Sequence, residues 1–191
     1  MRRLLICLIL CAGAGAPLRA EPYVVDPDHT AITFQMNHLG FSNFFGRFSD
    51  YEFDIDFDPT DIEATRVRVD IATASIDTGS ETRDGHVRKF PDLLNVEAFP
   101  VMTFVSTNVV LTSAETARMT GDLTIRDVTL PVVFDVRLNA RGVTPLSQGR
   151  EVIGLTATGV VDRVAFQMDF AAPAVTGEIP VRVDIEMMPA N

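Results

Sequence analysis

The chain has 191 residues and carries 26 acidic against 16 basic side chains, a formal net charge of −10. That balance excludes a nucleic-acid binder and makes an anionic membrane surface a poor partner, since both need a positive footprint. The length suits one domain with a sizeable core, and no apolar run reaches the roughly 20 residues that span a bilayer.

Residues 1–20 read as a secretory signal: Arg2 and Arg3, an apolar run over 4–12, then small residues up to Ala20. Cleavage after Ala20 is expected, leaving residues 21–191 as a single domain exported to the periplasm. Cys7 and Cys11 fall inside the removed segment, so the mature chain is expected to hold no disulfide and no thiolate metal site. Loss of Arg2, Arg3 and Arg19 takes the 16 basic residues to 13 against 26 acidic ones, a mature net charge of −13.

Residues 30–39 alternate, with Ile32, Phe34, Met36 and His38 on one face. His38 is there either as a core histidine or as a polar anchor inside a cavity. Residues 40–48 crowd Phe41, Phe44, Phe45 and Phe48 among turn formers. Burying each phenylalanine is worth about 1.5–3 kcal/mol, so they plug one end of a barrel or line its mouth. Residues 45–57 give the clearest strand, with Tyr51, Phe53, Ile55 and Phe57 opposite a stripe of carboxylates, Asp50 to Asp58. Same-face neighbours on a strand lie about 7 Å apart, too far to wrap one calcium, so the stripe reads as a solvated outer face. Residues 65–74 continue with Val67, Val69 and Ile71 inward, and antiparallel pairing sets Arg66 and Arg68 across from the acids.

Residues 75–107 break the β pattern. Thr78-x-x-Glu81 is a capping-box pattern, which predicts a helix from Glu81. On it Arg83, His86, Val87 and Phe90 share a face. Pro91 opens a second short turn with Leu93, Leu94 and Val96, and Phe99-Pro100 ends it. The helical insertion thus covers about residues 79–97. Strands are then expected at 101–106, 107–111, 118–125, 129–139, 151–161 and 178–187. The stretch 151–161 is rich in Gly, Ala and Thr, so its inward side chains leave room. That makes eight or nine strands, and the pattern predicts an all-β, eight-stranded antiparallel barrel, because closure removes exposed edges. Eight strands enclose either a packed core or one elongated small ligand.

Three stretches carry a resemblance and occur in order: N-H-L-G-F-S-N-F-F-G-R-F at 37–48, E-T-R-D-G-H-V-R-K-F-P-D-L-L-N-V-E-A-F-P-V-M-T-F at 81–104, and G-D-L-T-I-R-D-V-T at 121–129. They resemble the YceI-like family, periplasmic proteins whose lipocalin-like barrel holds a polyisoprenoid or similar lipid. The resemblance implies a carrier for a long apolar ligand (an isoprenoid lipid, quinone, polyprenyl phosphate or fatty amide) with no required cofactor. His38, Arg83, Asp84, His86 and Arg163 are the candidates for reading a polar head. Phe34, Met36, Phe41, Phe45, Phe53, Phe90, Leu93, Leu94, Phe104 and Phe166 are the candidates for the chain. Arg163 and Phe166 match a late family motif, with Gln167 where the family has glycine. A b-type membrane cytochrome and a second copy of the chain are the protein partners the resemblance admits.

Two other classes stay open at this level. A zinc-dependent or acid/base enzyme would use His38, His86 and Arg83. Against it, the mature chain's histidines, His29, His38 and His86, show no local ligand spacing, and no G-x-S-x-G elbow, phosphate loop or nicotinamide fingerprint is present. A ligand-free structural barrel would fill its interior to a density of about 0.74. The reading adopted is binding without chemistry, and without a metal.

Overall fold

Period-two alternation becomes strand throughout. The computed structural model describes residues 23–190; the segment carrying Cys7 and Cys11 lies outside them. The strands are β1 (Tyr23–Val25), β2 (Ala31–His38), β3 (Ser42–Phe48), β4 (Tyr51–Asp56), β5 (Arg66–Ala72), β6 (Ile76–Asp77), β7 (Val101–Leu111), β8 (Thr116–Ile125), β9 (Val128–Val143), β10 (Glu151–Asp162) and β11 (Glu178–Pro189), with one helix, α1 (Glu81–Lys89). The pairing order is β4-β5-β7-β8-β9-β10-β11-β2-β3-β6, and β1 adds to β11.

Residues 45–57, expected as one strand, bend at Ser49 and Asp50. The half before the bend pairs with β2 and the half after it pairs with β5. Counting β3 and β4 as one bent strand, and setting aside the two-residue β6, the circuit is eight strands long and closes through the chain itself. Past the bend, the free side of β4 faces β1, where the Tyr23 and Phe57 rings meet edge-on at 5.0 Å. This is an all-β, lipocalin-like barrel. Two expected strands, 101–106 and 107–111, are one: β7 runs through, with a register shift between Ser106 and Asn108 against β8.

The inward stripes form the core. Ile32, Val69, Ile71, Met102, Phe104, Leu123, Val132, Phe134, Ala157 and Val161 pack with Leu94, Phe166 and Met168 from the loops. On the outside, Asp54 and Asp56 do sit opposite Arg68 and Arg66. The ion pair forms elsewhere: Arg68 donates twice to Asp70 of its own strand, at 2.8 and 2.9 Å.

Helix α1 starts where expected, with a different cap. Gly79, at φ +74°, turns the chain, and Ser80 then caps the helix, its Oγ accepting from Arg83 N. Acidic Glu81 and Asp84 stand in the first turn and His86, Arg88 and Lys89 in the last, as the helix dipole favours. Phe90 leaves the helix in an extended conformation because Pro91 follows.

Candidate functional site

The barrel encloses a cavity of about 460 Å³ that runs along its length. Its wall is hydrocarbon from nearly every strand, including Phe34 and Met36 of β2, Phe53 of β4, Phe104 of β7 and Val183 of β11. The wall's ionisable side chains are Arg83, Glu115, Arg141 and Arg163.

Space inside depends on glycine. Gly46, Gly121 and Gly159 are where the rings of Phe34, Phe104 and Phe134 lie flat against the wall; a Cβ at any of them would collide with the ring. At Gly159 it would also meet the Val133 carbonyl oxygen at 2.7 Å. The room expected beside 151–161 is thus partly taken by Phe134, and the lumen stays open because these rings do not project into it.

One end is closed by α1 and the loop after β10. Leu94 and Met168 line the cavity there, and both are buried. Arg83 reaches the cavity from α1: its Nε donates to Thr78 Oγ1 and its Nη2 to Thr78 O, both at 2.7 Å. The Phe44 ring covers the guanidinium at 3.9 Å, and Nη1 has no partner among the described residues. Arg163, 3 % exposed, is a latch. It donates to the carbonyls of Thr176 and Val175 at 2.9 Å and to that of Met168, pinning the loop across the barrel end. Burial pushes its guanidinium below the usual arginine value, while Asp169 and Asp162 pull it back.

The other end is open. Leu111, Ala114, Glu115 and Arg141 are exposed lining residues, and every other lining residue is buried or half-buried. All four sit around the β7–β8 turn and the far end of β9, with Pro59 and Ile62 of the β4–β5 connection beside them. Arg141 pairs with Glu151 at 2.8 Å.

Several expected site residues lie elsewhere. His38 shares the inward parity of β2, but it stands past the barrel's end, exposed, and bridges to Val175. His86 is exposed and stacks on Phe90 at 5.0 Å; Phe90 turns to Phe170 and not to the cavity. The shared helical face splits because α1 ends before Phe90. Arg83 and Val87, one turn apart, are the pair that faces in. Asp84 is 3 % exposed and does not line the cavity. It accepts from Thr78 N at 3.0 Å and Thr78 Oγ1 at 2.5 Å, so Thr78 links it to Arg83. Phe41 and Phe45 are 90 % and 69 % exposed; strand parity sends Phe44 and Phe48 inward instead. Phe166 is buried in the core without lining the cavity. Phe34, Met36, Phe53, Leu93, Leu94 and Phe104 do line it. Of the four phenylalanines expected to plug or line the barrel's end, Phe44 and Phe48 line the cavity, on the same parity as Gly46. Sequence reading missed Arg141 and Glu115, which carry no local signal.

His38 and His86 do not converge with Arg83 into a metal or acid/base cluster. Among the described residues, the group with metal-ligand types together is Asp26, His29 and Glu186, with ligand atoms within 4.8 Å of one another. An ion pair accounts for it: His29 Nδ1 lies 2.9 Å from Asp26 Oδ2. That bond holds His29 above the usual imidazole value, with the charges of Asp26 and Glu186 adding to it, and holds Asp26 below the usual carboxylate value.

A closed eight-stranded barrel with a long apolar interior, plugged at one end and open at the other, is the architecture of the lipocalin-like cavity proteins. The chain belongs to the YceI-like domain family, which it matches over residues 23–187. It is 39 % identical over 135 residues to the UPF0312 protein of Azotobacter vinelandii, covering 70 % of this chain and 69 % of that one. The Campylobacter jejuni YCEI protein superposes with a TM-score of 0.71 at 30 % identity, over 81 % of this chain and 90 % of that one. A polyisoprenoid binding domain from Saccharophagus degradans shares the fold, with a TM-score of 0.64 at 15 % identity over 89 % of this chain and 99 % of the domain.

Proposed function

We propose that this protein is an exported carrier that holds a long apolar ligand inside its barrel and releases it unchanged. The observation that carries the reading is the hydrocarbon-walled cavity of about 460 Å³, open at one end. Each Å² of apolar ligand surface it removes from water contributes about 25 cal/mol, less the cost of ordering the chain. Family membership and the polyisoprenoid binding domain among the fold's relatives support an isoprenoid or similar chain as the ligand. Binding without catalysis is supported by the wall itself, where, among the described residues, a single carboxylate, Glu115, stands at the rim and no imidazole faces the lumen. Arg83 ends the apolar wall, so a chain that reaches the closed end meets a polar stop. That sets an upper limit on chain length.

Protein purified from the periplasm of its own source, analysed by native mass spectrometry and organic extraction, is expected to carry about one lipid per barrel. An empty barrel that also fails to take up a fluorescent fatty-chain probe would refute the carrier reading.

A further inference from the structure

The mouth is where a ligand's polar head must rest if the chain enters tail first. Drawing a hydrated head along the hydrocarbon wall would strip its water with nothing to replace it. At the closed end the hydrogen-bonding groups are largely engaged: Arg163 by three carbonyls, Arg83 by Thr78 on two nitrogens.

The rim is negatively charged. Arg141 is matched by Glu151 at 2.8 Å, so the pair adds no net charge. The β4–β5 connection lends Pro59 and Ile62 to the cavity wall and holds Asp58, Asp61 and Glu63 around them. Glu63 is fixed against the mouth, its Oε1 accepting from Leu111 N at 3.0 Å. Asp58 is held ionised by the Thr60 hydroxyl and amide, at 2.7 and 2.8 Å. Glu115 stands in the neighbouring β7–β8 turn, in the wall itself. Arg66, Arg118, Arg137 and Arg150 are cations near this end: Arg66 donates to the carbonyls of Ala64 and Thr65 at 2.9 Å, Arg118 pairs with Asp135 at 3.4 Å, and Arg137 stands across from Thr116. Along the β4–β5 connection and the β7–β8 turn, four carboxylates stand against one arginine, Arg66.

We infer that this rim is a charge filter: the barrel accepts long chains whose head is neutral and hydrogen-bonding, such as an alcohol, amide or quinone, and disfavours the same chains bearing a phosphate. The inference rests on the carrier reading and names which ligands that carrier takes. The carboxylates repel a phosphate head within a Debye length of about 8 Å. A neutral head feels none of this and takes the free N–H groups of Arg141.

The test uses the mature protein and two probes with one tail, a polyprenol and its monophosphate, each titrated against a bound fluorescent fatty-chain reporter. The variant that neutralises three of the four carboxylates is Asp61→Asn, Glu63→Gln and Glu115→Gln together; the amide oxygen that Glu63→Gln introduces still accepts from Leu111 N. Wild type is expected to bind the polyprenol about ten-fold tighter than its monophosphate at low salt, as several weakly screened like charges dictate. The variant is expected to close that gap by about five-fold or more while polyprenol affinity stays unchanged. Added salt should narrow the gap in wild type and do little in the variant. A wild type that prefers the monophosphate, or a gap the triple change leaves intact, overturns the inference. So does selective loss of monophosphate binding in Arg83→Ala, which would place the head at the closed end. If neither probe displaces the reporter, the carrier reading falls, and the filter with it.

Discussion

At the closed end of the barrel, cations are structural. Arg163 is 3 % exposed and donates to three backbone carbonyls, and Arg83 is tied to Thr78 and covered by Phe44. At the mouth, Arg141 shares a single carboxylate and its side chain is 42 % exposed. The same residue type thus does opposite work at the two ends. Where water is excluded, an arginine holds the chain together, because losing it leaves several carbonyls unpaired. Where water remains, it is free to meet a ligand. The recognisable motifs, 37–48 and 81–104, build the closed end, and the opening is made from plainer hairpin turns.

The largest expected effect breaks this contrast directly. Arg163→Ala leaves the carbonyls of Met168, Val175 and Thr176 buried without donors and should lower stability by about 3 kcal/mol or more in urea unfolding. Arg141→Ala, at the exposed pair, should cost under about 1 kcal/mol. Equal losses at the two sites would erase the distinction.

Next comes the lumen between the ends. The three atoms nearest a Cβ at residue 46 all belong to the far end of the Phe34 ring, so the ring must shift to make room. Gly46→Ala should therefore cost stability about 1–3 kcal/mol by overpacking and, in the same variant, weaken uptake of a fatty-chain probe. Unchanged uptake would show that the probe does not occupy the cavity at Phe34.

A smaller gain is expected from the closed-end loop. Gln167 holds φ +60°, a left-handed conformation that costs a side chain about 1–2 kcal/mol and glycine nothing. Part of that is offset by the extra freedom glycine has when unfolded, so Gln167→Gly should raise stability by about 1 kcal/mol at most. The Gln167 carbonyl, which accepts from Arg126 Nη1 at 2.8 Å, is kept. A loss of stability would mean that the side chain makes a contribution its exposure hides.

The smallest effect lies at the mouth end, where His29 and Asp26 pair in solvent. The pair raises His29 above 6.5, so its contribution is complete below about that pH and fades as pH rises through the raised value. Asp26 is lowered from 3.8, so its contribution is present above that pH and fades as the solution turns more acid. The difference in Tm between wild type and His29→Ala should thus be greatest between those limits and shrink above neutrality. A difference that grows with pH would contradict the pairing.

Strand content, inward stripes, the helical insertion and the barrel itself were legible in the sequence, because each follows from periodicity or from a local signal. Ile32, Phe34 and Met36 announce their face by alternation, and Pro91 and Pro100 mark where helix cannot continue. The Gln167 position, which the resemblance marked as one for glycine, does take a positive φ. What periodicity could not say is where a face ends in space. His38 has the right parity and lies past the barrel's end, while Phe90 has the right helical spacing but lies one residue beyond the end of α1 and so does not share its face. Only the tertiary structure decided that Phe34, Phe104 and Phe134 lie flat over glycines, that Ser49 and Asp50 carry one strand across the closure, and that Arg141 and Glu115 frame the opening. These are contacts between residues far apart in the chain, and no local pattern encodes them: the side of a strand is set by its neighbours two residues away, but the end of a barrel is set by all eight strands at once.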